Sequence, residues 1–354
     1  MKIALIEIGG SHDECLYSQV KILKSVKNVH LTLICDESLR ENVKYYDSVD
    51  ENIFIQITKK GFRQWRDLYE LWKLCKKEKF DKIIFNTAQG KIISKFLMFP
   101  FSKRVDFYGT LHNVSKLGSS GTQRRISKKV KHYFILNEYL ENGLMKNNTK
   151  NNSFSVFHPV FFPNYPKLKI DKKENEIWIC IPGQVELKRR DYGALFESIK
   201  AYGININIKF LLLGKYGHKH GDGDFIKKHI QKLSIENQFM TWEGFIPVST
   251  FNSMIKMSDY ILPLIHNKDS SGELYQNQIS GAFNIAVGHK KEIIVETALS
   301  EILRDYSPVV YEKQSLMKTI NNLTSIDVDD LFTDEKWSFD YQKKSFLKAL
   351  NITY

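Results

Sequence analysis

The amino-acid sequence predicts an α/β protein built from two doubly wound, Rossmann-like domains and a C-terminal helix. Three observations predict this fold. The chain has 354 residues, which is more than one hydrophobic core of ordinary size accommodates. Short apolar runs alternate with segments of helical spacing, as they do in βαβ units. A proline-rich stretch, His158 to Glu176, separates two such sets and is typical of an interdomain linker.

The first set predicts a parallel sheet within a domain of residues 1–160. Segments of helical spacing, such as Cys15 to Val26 and Leu68 to Lys77, lie between the apolar runs. Runs without polar alternation are typical of strands that are covered on both faces. The predicted strands are Ile3 to Ile8, Val29 to Cys35, Ile53 to Ile57, Lys82 to Phe85, Val105 to Leu111 and Tyr133 to Leu136.

The second set predicts another parallel sheet, within a domain of residues 161–336. Its predicted strands are Trp178 to Ile181, Ile208 to Leu213, Phe239 to Trp242, Tyr260 to Leu262, Ile293 to Val295 and Val309 to Tyr311. Residues 337–354 have helical spacing and no strand follows them, so we expect a terminal helix there.

Composition limits the possible partners and compartments. Lys and Arg exceed Asp and Glu by 12, which favours anionic partners. Such partners are nucleic acid, anionic lipid and phosphorylated small molecules. Nucleic acid is the less favoured, because no RNA-binding aromatic motif, zinc finger or basic tail occurs. The four cysteines form no CxxC pair, so we expect buried thiols rather than a zinc site. No signal peptide pattern or membrane-spanning run occurs, and we expect a cytoplasmic protein.

The stretch Glu176 to Asp191 has the pattern of an anion-binding turn. A buried-type strand ends at Pro182 and Gly183, and three cations and a helix-capping acid follow: Lys188, Arg189, Arg190 and Asp191. Positive charge and free helix N-terminal amides at a strand end are typical of phosphate binding. An ordinary basic turn that faces solvent is the alternative interpretation.

Two loops of the first domain carry further candidate residues, because ligands bind at the carboxyl ends of parallel strands. Gly9 and Gly10, followed by His12, permit a sharp turn and close approach to a ligand. His112 and Asn113 place an imidazole and an amide after another strand, where a histidine can orient a hydroxyl or accept a proton. A plain turn and a structural histidine are the alternatives.

Two basic segments point to acceptor or membrane contact. The loop from Gly118 to His132 contains Arg124 and Arg125 and can receive a phosphorylated or lipid-linked acceptor. Lys59 to Lys77 is an amphipathic basic helix that can lie on the inner face of an anionic membrane. The alternatives are a solvated helix face for the first and packing against the sheet for the second.

The order of motifs in the second domain resembles the donor domain of GT-B glycosyltransferases of the GT4-like kind. The resemblance rests on the turn at Gly183 and Gln184 with Lys188 and Arg189, on LLLGK at 211–215 and on WEGFI at 242–246. It also rests on DSSGELYQNQISGAF at 269–283. Gln184 stands where the family usually has arginine, and the family's second glutamate has no counterpart at Ser280 or Gly281.

The resemblance implies the fold and the site. It implies two domains that face each other across a cleft, with the C-terminal helix crossing back to the first domain. The catalytic residues it implies are His112, Lys188 and Arg189. The donor-binding residues are Gly9, Gly10, Gly183, Gln184, Gly214, Lys215, Gly244, Phe245, Ile246, Ser271, Gly272, Glu273, Ser280 and Gly281. The candidates near the acceptor are His12 and Asn113 in the two loops of the first domain and, from the basic loop rather than from the resemblance, Arg124 and Arg125.

The activity implied by the resemblance is transfer of a sugar from a UDP- or GDP-linked donor to a glycan or lipid-linked acceptor in surface polysaccharide synthesis. We expect it to need neither metal nor cofactor, since the segments that carry the resemblance, at 183–190, 211–215, 242–246 and 269–283, contain no Asp-x-Asp motif. A GT-B nucleotide-sugar epimerase and a catalytically silent scaffold subunit are the alternatives. The sequence leaves the oligomeric state, the retaining or inverting outcome and the identity of the sugar open.

Overall fold

The computed structural model describes residues 1–10, 12–46, 49–145, 152–217, 222–266, 275–324 and 331–353. These residues form two compact units. Unit 1 comprises Met1–Pro163, Gln276–Ile279 and Asp334–Tyr354, and unit 2 comprises Asn164–Tyr275 and Ser280–Thr333. The first boundary falls inside the proline-rich stretch, whereas the short segment Gln276–Ile279 joins unit 1 although its neighbours in the chain belong to unit 2.

Unit 1 contains a seven-stranded parallel sheet among its described residues. The strand order is β3-β2-β1-β4-β5-β6-β7, so the chain starts in the middle of the sheet and winds to both edges. The strands are β1 Lys2–Glu7, β2 His30–Asp36, β3 Glu51–Ile55, β4 Lys82–Phe85, β5 Asp106–Leu111, β6 His132–Ile135 and β7 Ser153–Val156. All six strands predicted from apolar runs are present. Edge strand β7 was missed, because its sequence SFSV alternates polar and apolar residues.

Helices cover both faces of this sheet and complete its core. The helices of unit 1 are α1 Leu16–Lys24, α2 Arg40–Val43, α3 Phe62–Glu78, α4 Gly90–Phe96, α5 Lys116–Ser119, α6 Gly121–Ser127 and α7 Glu141–Met145. The predicted C-terminal helix also belongs to this unit. Its Phe346 ring lies 4.3 Å from the Phe134 ring and 4.8 Å from the Phe157 ring, so it seals the core beside β6 and β7.

The described part of unit 2 contains a six-stranded parallel sheet in the order β10-β9-β8-β11-β12-β13. The strands are β8 Ile177–Pro182, β9 Ile208–Lys215, β10 Phe239–Trp242, β11 Tyr260–Ile261, β12 Glu292–Glu296 and β13 Val309–Tyr311, which confirms the six predicted ones. The helices are α8 Tyr192–Tyr202, α9 Asp222–Lys232, α10 Val248–Met257, α11 Gly281–Gly288, α12 Thr297–Ser300 and α13 Leu316–Ile320, and the C-terminal helix of unit 1 is α14 Phe339–Ala349.

The central strands are buried on both faces, which explains their unbroken apolar sequences. Ile3, Ala4 and Leu5 of β1 have no exposed surface, and neither do Ile179, Cys180 and Ile181 of β8. All four cysteines are buried free thiols, as predicted, and burial raises the pKa of Cys75 to about 12. Among the described residues, no helix combines the length and apolar composition that crossing a membrane requires.

Candidate functional site

A buried carboxyl group organises the strand ends of unit 1. Glu7 ends β1 next to β4 and is only 2% exposed. Its Oε1 accepts a 2.7 Å hydrogen bond from the backbone N–H of Gly9, and its Oε2 accepts bonds of 2.8 Å from Asn86 Nδ2 and 2.5 Å from Thr87 Oγ1. Burial raises the pKa of Glu7 to about 7 in spite of these donors. The loops after β1 and β4 are therefore joined through one side chain.

Asn86 extends this network to the two histidines predicted to be functional. Its Nδ2 donates to the backbone oxygen of His12 at 2.8 Å, and its own backbone oxygen lies 2.9 Å from Nε2 of His112. A carbonyl oxygen can only accept, so Nε2 of His112 carries the hydrogen and Nδ1 has a free lone pair. Burial and the neighbouring His12 lower the pKa of His112 to about 4, which keeps this imidazole neutral.

The loop that carries His112 is held by a side chain from the preceding crossover. Gln89 Oε1 accepts hydrogen bonds from the backbone N–H groups of His112 at 2.9 Å and of Asn113 at 3.1 Å. Its Nε2 donates to the backbone oxygen of Asn113 at 2.7 Å. Three bonds from one amide thus fix the position of His112 at the end of β5, which suits a residue that has to orient a ligand.

His12 and Glu14 form an acid–base pair beside His112. His12 adopts a left-handed conformation with a φ of 67°, and its ring stacks on the His112 ring with centroids 3.8 Å apart. Its Nδ1 lies 3.3 Å from Glu14 Oε1. Burial opposes a charge on His12, but the hydrogen bond and the negative charge of Glu14 outweigh burial and raise the pKa of His12. Burial alone would raise the pKa of Glu14, but the hydrogen bond and the positive charge of His12 lower it.

These three side chains also offer donor atoms that lie within 4.8 Å of one another, close enough to consider a metal ion. A metal binds an imidazole nitrogen in the plane of the ring. The two rings lie at 23° to each other and 3.8 Å apart, so no point close to both rings lies in both planes. A metal would require one ring to turn, whereas a pair that shares a proton fits the arrangement as it stands. Metal independence stays a prediction.

The other predicted residues of unit 1 lie close to this cluster or on the surface. Gly9 contributes the N–H bound by Glu7, and a Cβ on Gly10 would lie 2.7 Å from Ser38 Oγ. Asn113 accepts from the backbone N–H of Ser115 through its side-chain oxygen at 2.9 Å. Arg124 and Arg125 are exposed on α6.

The glycine turn of unit 2 has a geometry that strongly favours glycine. Gly183 follows β8 with a φ of +98°, a conformation that side-chain-bearing residues rarely adopt. Its N–H donates to the backbone oxygen of Leu213 at 2.9 Å. A Cβ on Gly214 at the end of β9 would overlap the carbonyl group of Gly183. The two glycines therefore bring the ends of β8 and β9 into direct backbone contact.

Arg190, one of the three cations of the predicted anion-binding turn but not one of the residues assigned to donor binding or catalysis, lies beneath this turn. Its guanidinium donates from Nη2 to the backbone oxygen of Pro182 and from Nη1 to that of Pro263, and only 7% of the residue is exposed. A Cβ on Gly183 would lie 2.7 Å from Nη2. Nε is buried with no hydrogen-bond partner among the described residues. The cation thus connects the end of β8 to the segment after β11 through carbonyl groups alone, so its positive charge persists at these strand ends.

The residues on either side of Arg190 differ from it in exposure. Lys188, Arg189 and Gln184 are exposed, and Arg189 forms a 2.9 Å ion pair with Glu186. Asp191 caps α8, as predicted, by accepting the N–H of Ala194 at 3.0 Å. Burial opposes the charge of Asp191, but hydrogen bonds from Lys313 at 2.7 Å and Ala194 lower its pKa.

The remaining predicted donor residues lie at other strand and helix ends of unit 2. Lys215 ends β9 and is exposed. After β10, Gly244 has open space around it and Phe245 is 79% exposed, whereas Ile246 is buried. Ser280 caps α11 by accepting the N–H of Ala282 at 3.4 Å, and Gly281 begins that helix with open space beside it. Ser271, Gly272 and Glu273 lie outside the described residues.

Comparisons with known proteins concern the fold. No family model matches the chain, and no curated protein matches it. HepE from Anabaena in complex with UDP and glucose is similar with a TM-score of 0.64 and 13% identity, covering 99% of this chain and 95% of that chain. A glycosyltransferase from Rickettsia africae is similar with a TM-score of 0.59 and 12% identity, covering 99% and 93%.

UDP-GlcNAc 2-epimerase from Neisseria meningitidis bound to UDP-GlcNAc gives a TM-score of 0.62 and 12% identity, covering 99% of this chain and 100% of that chain. The chain has the GT-B fold. With two parallel sheets of seven and six strands, the fold class predicted from the sequence is confirmed. The similarity does not separate transferases from epimerases, because both kinds of protein are among these structures.

Proposed function

We propose that this chain is a glycosyltransferase of the GT4-like kind that moves a sugar from a nucleoside diphosphate to a glycan or lipid-linked acceptor. The observation that carries the proposal is the buried guanidinium of Arg190 behind the Gly183 turn, since no carboxylate neutralises it among the described residues. Strand ends with a glycine turn, a fixed cation and a capped helix suit a diphosphate. The UDP-bound structures of similar fold support this assignment.

Lys188 and Arg189 are assigned to the leaving group. When the bond between the sugar carbon and the diphosphate oxygen breaks, negative charge builds up on that oxygen, and nearby cations stabilise it. Both side chains are exposed and so accessible to a ligand. Arg190 replaces the charge that Gln184 lacks relative to the family pattern, and Phe245 is available to stack on the nucleobase.

The acid–base pair of unit 1 is assigned to the acceptor. The acceptor oxygen forms the new bond to the sugar carbon and loses its proton, and His12 Nε2 can take that proton because Nδ1 faces Glu14. The carboxylate of Glu14 then stabilises the imidazolium ion. His112 stays neutral and offers Nδ1 as an acceptor for a hydroxyl group of the transferred sugar.

Thermal unfolding with UDP, GDP, ADP and their sugar conjugates tests the proposal, because a ligand that binds the folded state raises the melting temperature. A shift with one family of nucleotides is expected, and the absence of any shift would exclude a nucleotide-sugar enzyme.

Lys188→Ala should then reduce turnover by about tenfold or more, the loss of one charged contact in the transition state. Lys227→Ala is the matched control, an exposed lysine on α9 outside the cation cluster. Activity should persist in EDTA.

Nucleotide-sugar epimerisation is the second candidate, because the Neisseria epimerase is similar over its whole length. Incubation of the protein with a bound nucleotide sugar in D2O, without acceptor, separates the two. Epimerisation at a C–H carbon introduces solvent deuterium and yields a stereoisomer. Transfer instead requires an acceptor and releases the nucleoside diphosphate.

A further inference from the structure

Helix α3 carries two stripes of mostly apolar residues, one buried and the other largely exposed. Its buried residues Gln64, Leu68, Leu71 and Cys75 follow helical spacing and face the sheet of unit 1. A second series has the same spacing. Because an α-helix turns by about 100° per residue, this series lies about 110° further around the helix. This outer series consists of Phe62, Trp65, Tyr69 and Trp72.

The outer series forms a partly exposed aromatic layer together with the segment after α4, with Trp72 and Phe99 half-buried at its base. The Phe99 ring lies 6.2 Å from the rings of Trp65 and Tyr69 and 5.7 Å from that of Trp72. Phe62 is 85% exposed, Met98 62%, Tyr69 43% and Trp65 38%. We call these six residues, 62, 65, 69, 72, 98 and 99, the aromatic face. Large apolar side chains gathered on one surface in this way mark a contact site rather than ordinary surface.

Cations surround the aromatic face. The segment from Lys59 to Lys79 has eight Lys or Arg and three Asp or Glu, a net charge of +5. The ammonium groups of Lys95, Lys73 and Lys76 lie 5.3, 5.5 and 5.2 Å from the ring centres of Trp65, Tyr69 and Trp72. Within the described chain, no carboxylate forms an ion pair with five basic residues of this segment: Lys59, Lys60, Arg63, Lys76 and Lys77.

We propose that the aromatic face docks this protein on the surface of an anionic lipid bilayer. Trp and Tyr rings favour the headgroup level, apolar side chains such as Phe62 and Met98 enter the acyl boundary, and the surrounding cations bind lipid phosphates. Long Lys and Arg side chains reach the phosphates while their methylene groups stay on apolar surface. The charge argues for an anionic surface rather than for an apolar protein partner.

Single-stranded nucleic acid also uses aromatic rings and cations, but it needs free ring faces on which bases stack. Here a different lysine lies over the ring of each of Trp65, Tyr69 and Trp72, and the Trp72 ring also stacks on Phe99. The most exposed members are Phe62 and the aliphatic Met98, which are suited to insertion between lipids. A bilayer is therefore the better match.

Co-sedimentation of the full chain with vesicles tests this proposal without any nucleotide sugar, so it stands or fails independently of the transferase assignment. Binding is expected to vesicles of mixed phosphatidylcholine and phosphatidylglycerol, to be weaker on phosphatidylcholine alone, and to weaken as salt is added. Phe62→Ser combined with Met98→Ser should lower the partition coefficient by about tenfold or more, because the apolar surface that these side chains would bury in the bilayer is lost. The substitutions should leave the fold intact, because both side chains are already exposed without lipid. Lys59→Gln with Lys60→Gln should lower it about fivefold for each charge removed.

Two controls make changes of the same kind elsewhere, a single apolar-to-serine substitution and a double lysine-to-glutamine substitution. Ile206→Ser alters a residue that is 75% exposed in unit 2, and Lys227→Gln with Lys228→Gln removes two exposed charges from α9. Both controls should bind like the unaltered chain.

Lipids with brominated acyl chains should quench the tryptophan fluorescence of the unaltered chain, and Trp65→Phe should reduce that quenching.

Three results would overturn the proposal. The first is the absence of binding to anionic vesicles, and the second is equal binding by the Phe62→Ser, Met98→Ser variant and the Ile206→Ser control. The third is a different occupant: a dimer that dissociates in the Phe62→Ser variant, or competition for the aromatic face by single-stranded oligonucleotides.

Discussion

Replacement of Gly183 by alanine tests whether the buried cation and the glycine turn act as one unit. Gly183 has a φ of +98°, and a Cβ there would lie 2.7 Å from Nη2 of Arg190. Gly203, at the end of α8 in the same unit, has a φ of +68° and nothing within 4 Å of an added Cβ. Gly203→Ala therefore introduces backbone strain without displacing a side chain and is the matched control.

The two substitutions should differ by the free energy of moving Arg190. Backbone strain at such φ values costs about 1–3 kcal/mol in either variant. In Gly183→Ala the guanidinium also has to withdraw from Pro182 or Pro263, and a hydrogen bond to a charged group contributes about 1.5–3 kcal/mol. The unfolding free energy should thus fall by about 1–3 kcal/mol for Gly203→Ala and by about 2.5–6 kcal/mol for Gly183→Ala.

Thermal and denaturant unfolding of unit 2, with and without UDP or GDP, provides the measurement. If the turn binds the diphosphate, the Kd of the nucleotide should rise by about tenfold or more in Gly183→Ala, equivalent to about 1.4 kcal/mol, and stay unchanged in Gly203→Ala. Equal losses of stability in the two variants would refute the contact between the turn and Arg190. Unequal stability with equal nucleotide affinity would refute the role of the turn in binding.

Three further predictions concern Glu7, the His12–Glu14 pair and the glycines after the strands of unit 2. Burial raises the pKa of Glu7 to about 7 in the folded protein, whereas the ordinary pKa of 4.5 applies to the unfolded chain. Between pH 4.5 and about pH 7, the folded state therefore holds a proton that the unfolded state has lost. Stability should fall by about 3 kcal/mol as pH rises through that window, and unfolding of Glu7→Gln at each pH should show no such fall. Glu14→Gln should lower the pKa of His12, which NMR titration of the imidazole measures; an unchanged pKa would contradict the pairing. Gly214→Ala should destabilise unit 2 by about 1–3 kcal/mol through backbone overlap, while Gly244→Ala, with open space around it, should be close to neutral in the same melting experiment.

The sequence predicted the strands well because their burial leaves a local signature. Strands β4, β10 and β13 begin and end at the predicted residues, and the others differ by a few residues at their ends. The turn at Gly183 was also predictable, because Pro-Gly directly after an apolar run strongly favours a turn at the end of a strand. Strand β7 was missed, because an edge strand paired on one side only does not need a continuous apolar run.

Of the side chains that the structure brings together in the candidate site, only some were predicted from the sequence. His112 and His12 were identified from their positions after apolar runs, but Glu14 and Asn86 were not, although they set the charge and the tautomer of those histidines. Glu7 offered one usable signal, an acid at the end of an otherwise apolar strand. Nothing in the local sequence connects these residues, because 98 positions separate Glu14 from His112 and only the parallel pairing of β1, β4 and β5 brings them together.

By itself, the sequence determined the two α/β sheets, the glycine turn and the aromatic, basic character of α3, since each depends on residues close together in the chain. Tertiary structure decided which of three adjacent cations is buried. Arg190 lies under the turn while Lys188 and Arg189 stay in solvent, because the carbonyl groups of Pro182 and Pro263 meet there and provide acceptors for a buried guanidinium. It likewise decided which stripe of α3 packs on the sheet and which is left exposed, a choice that depends on the surface opposite and not on the helix.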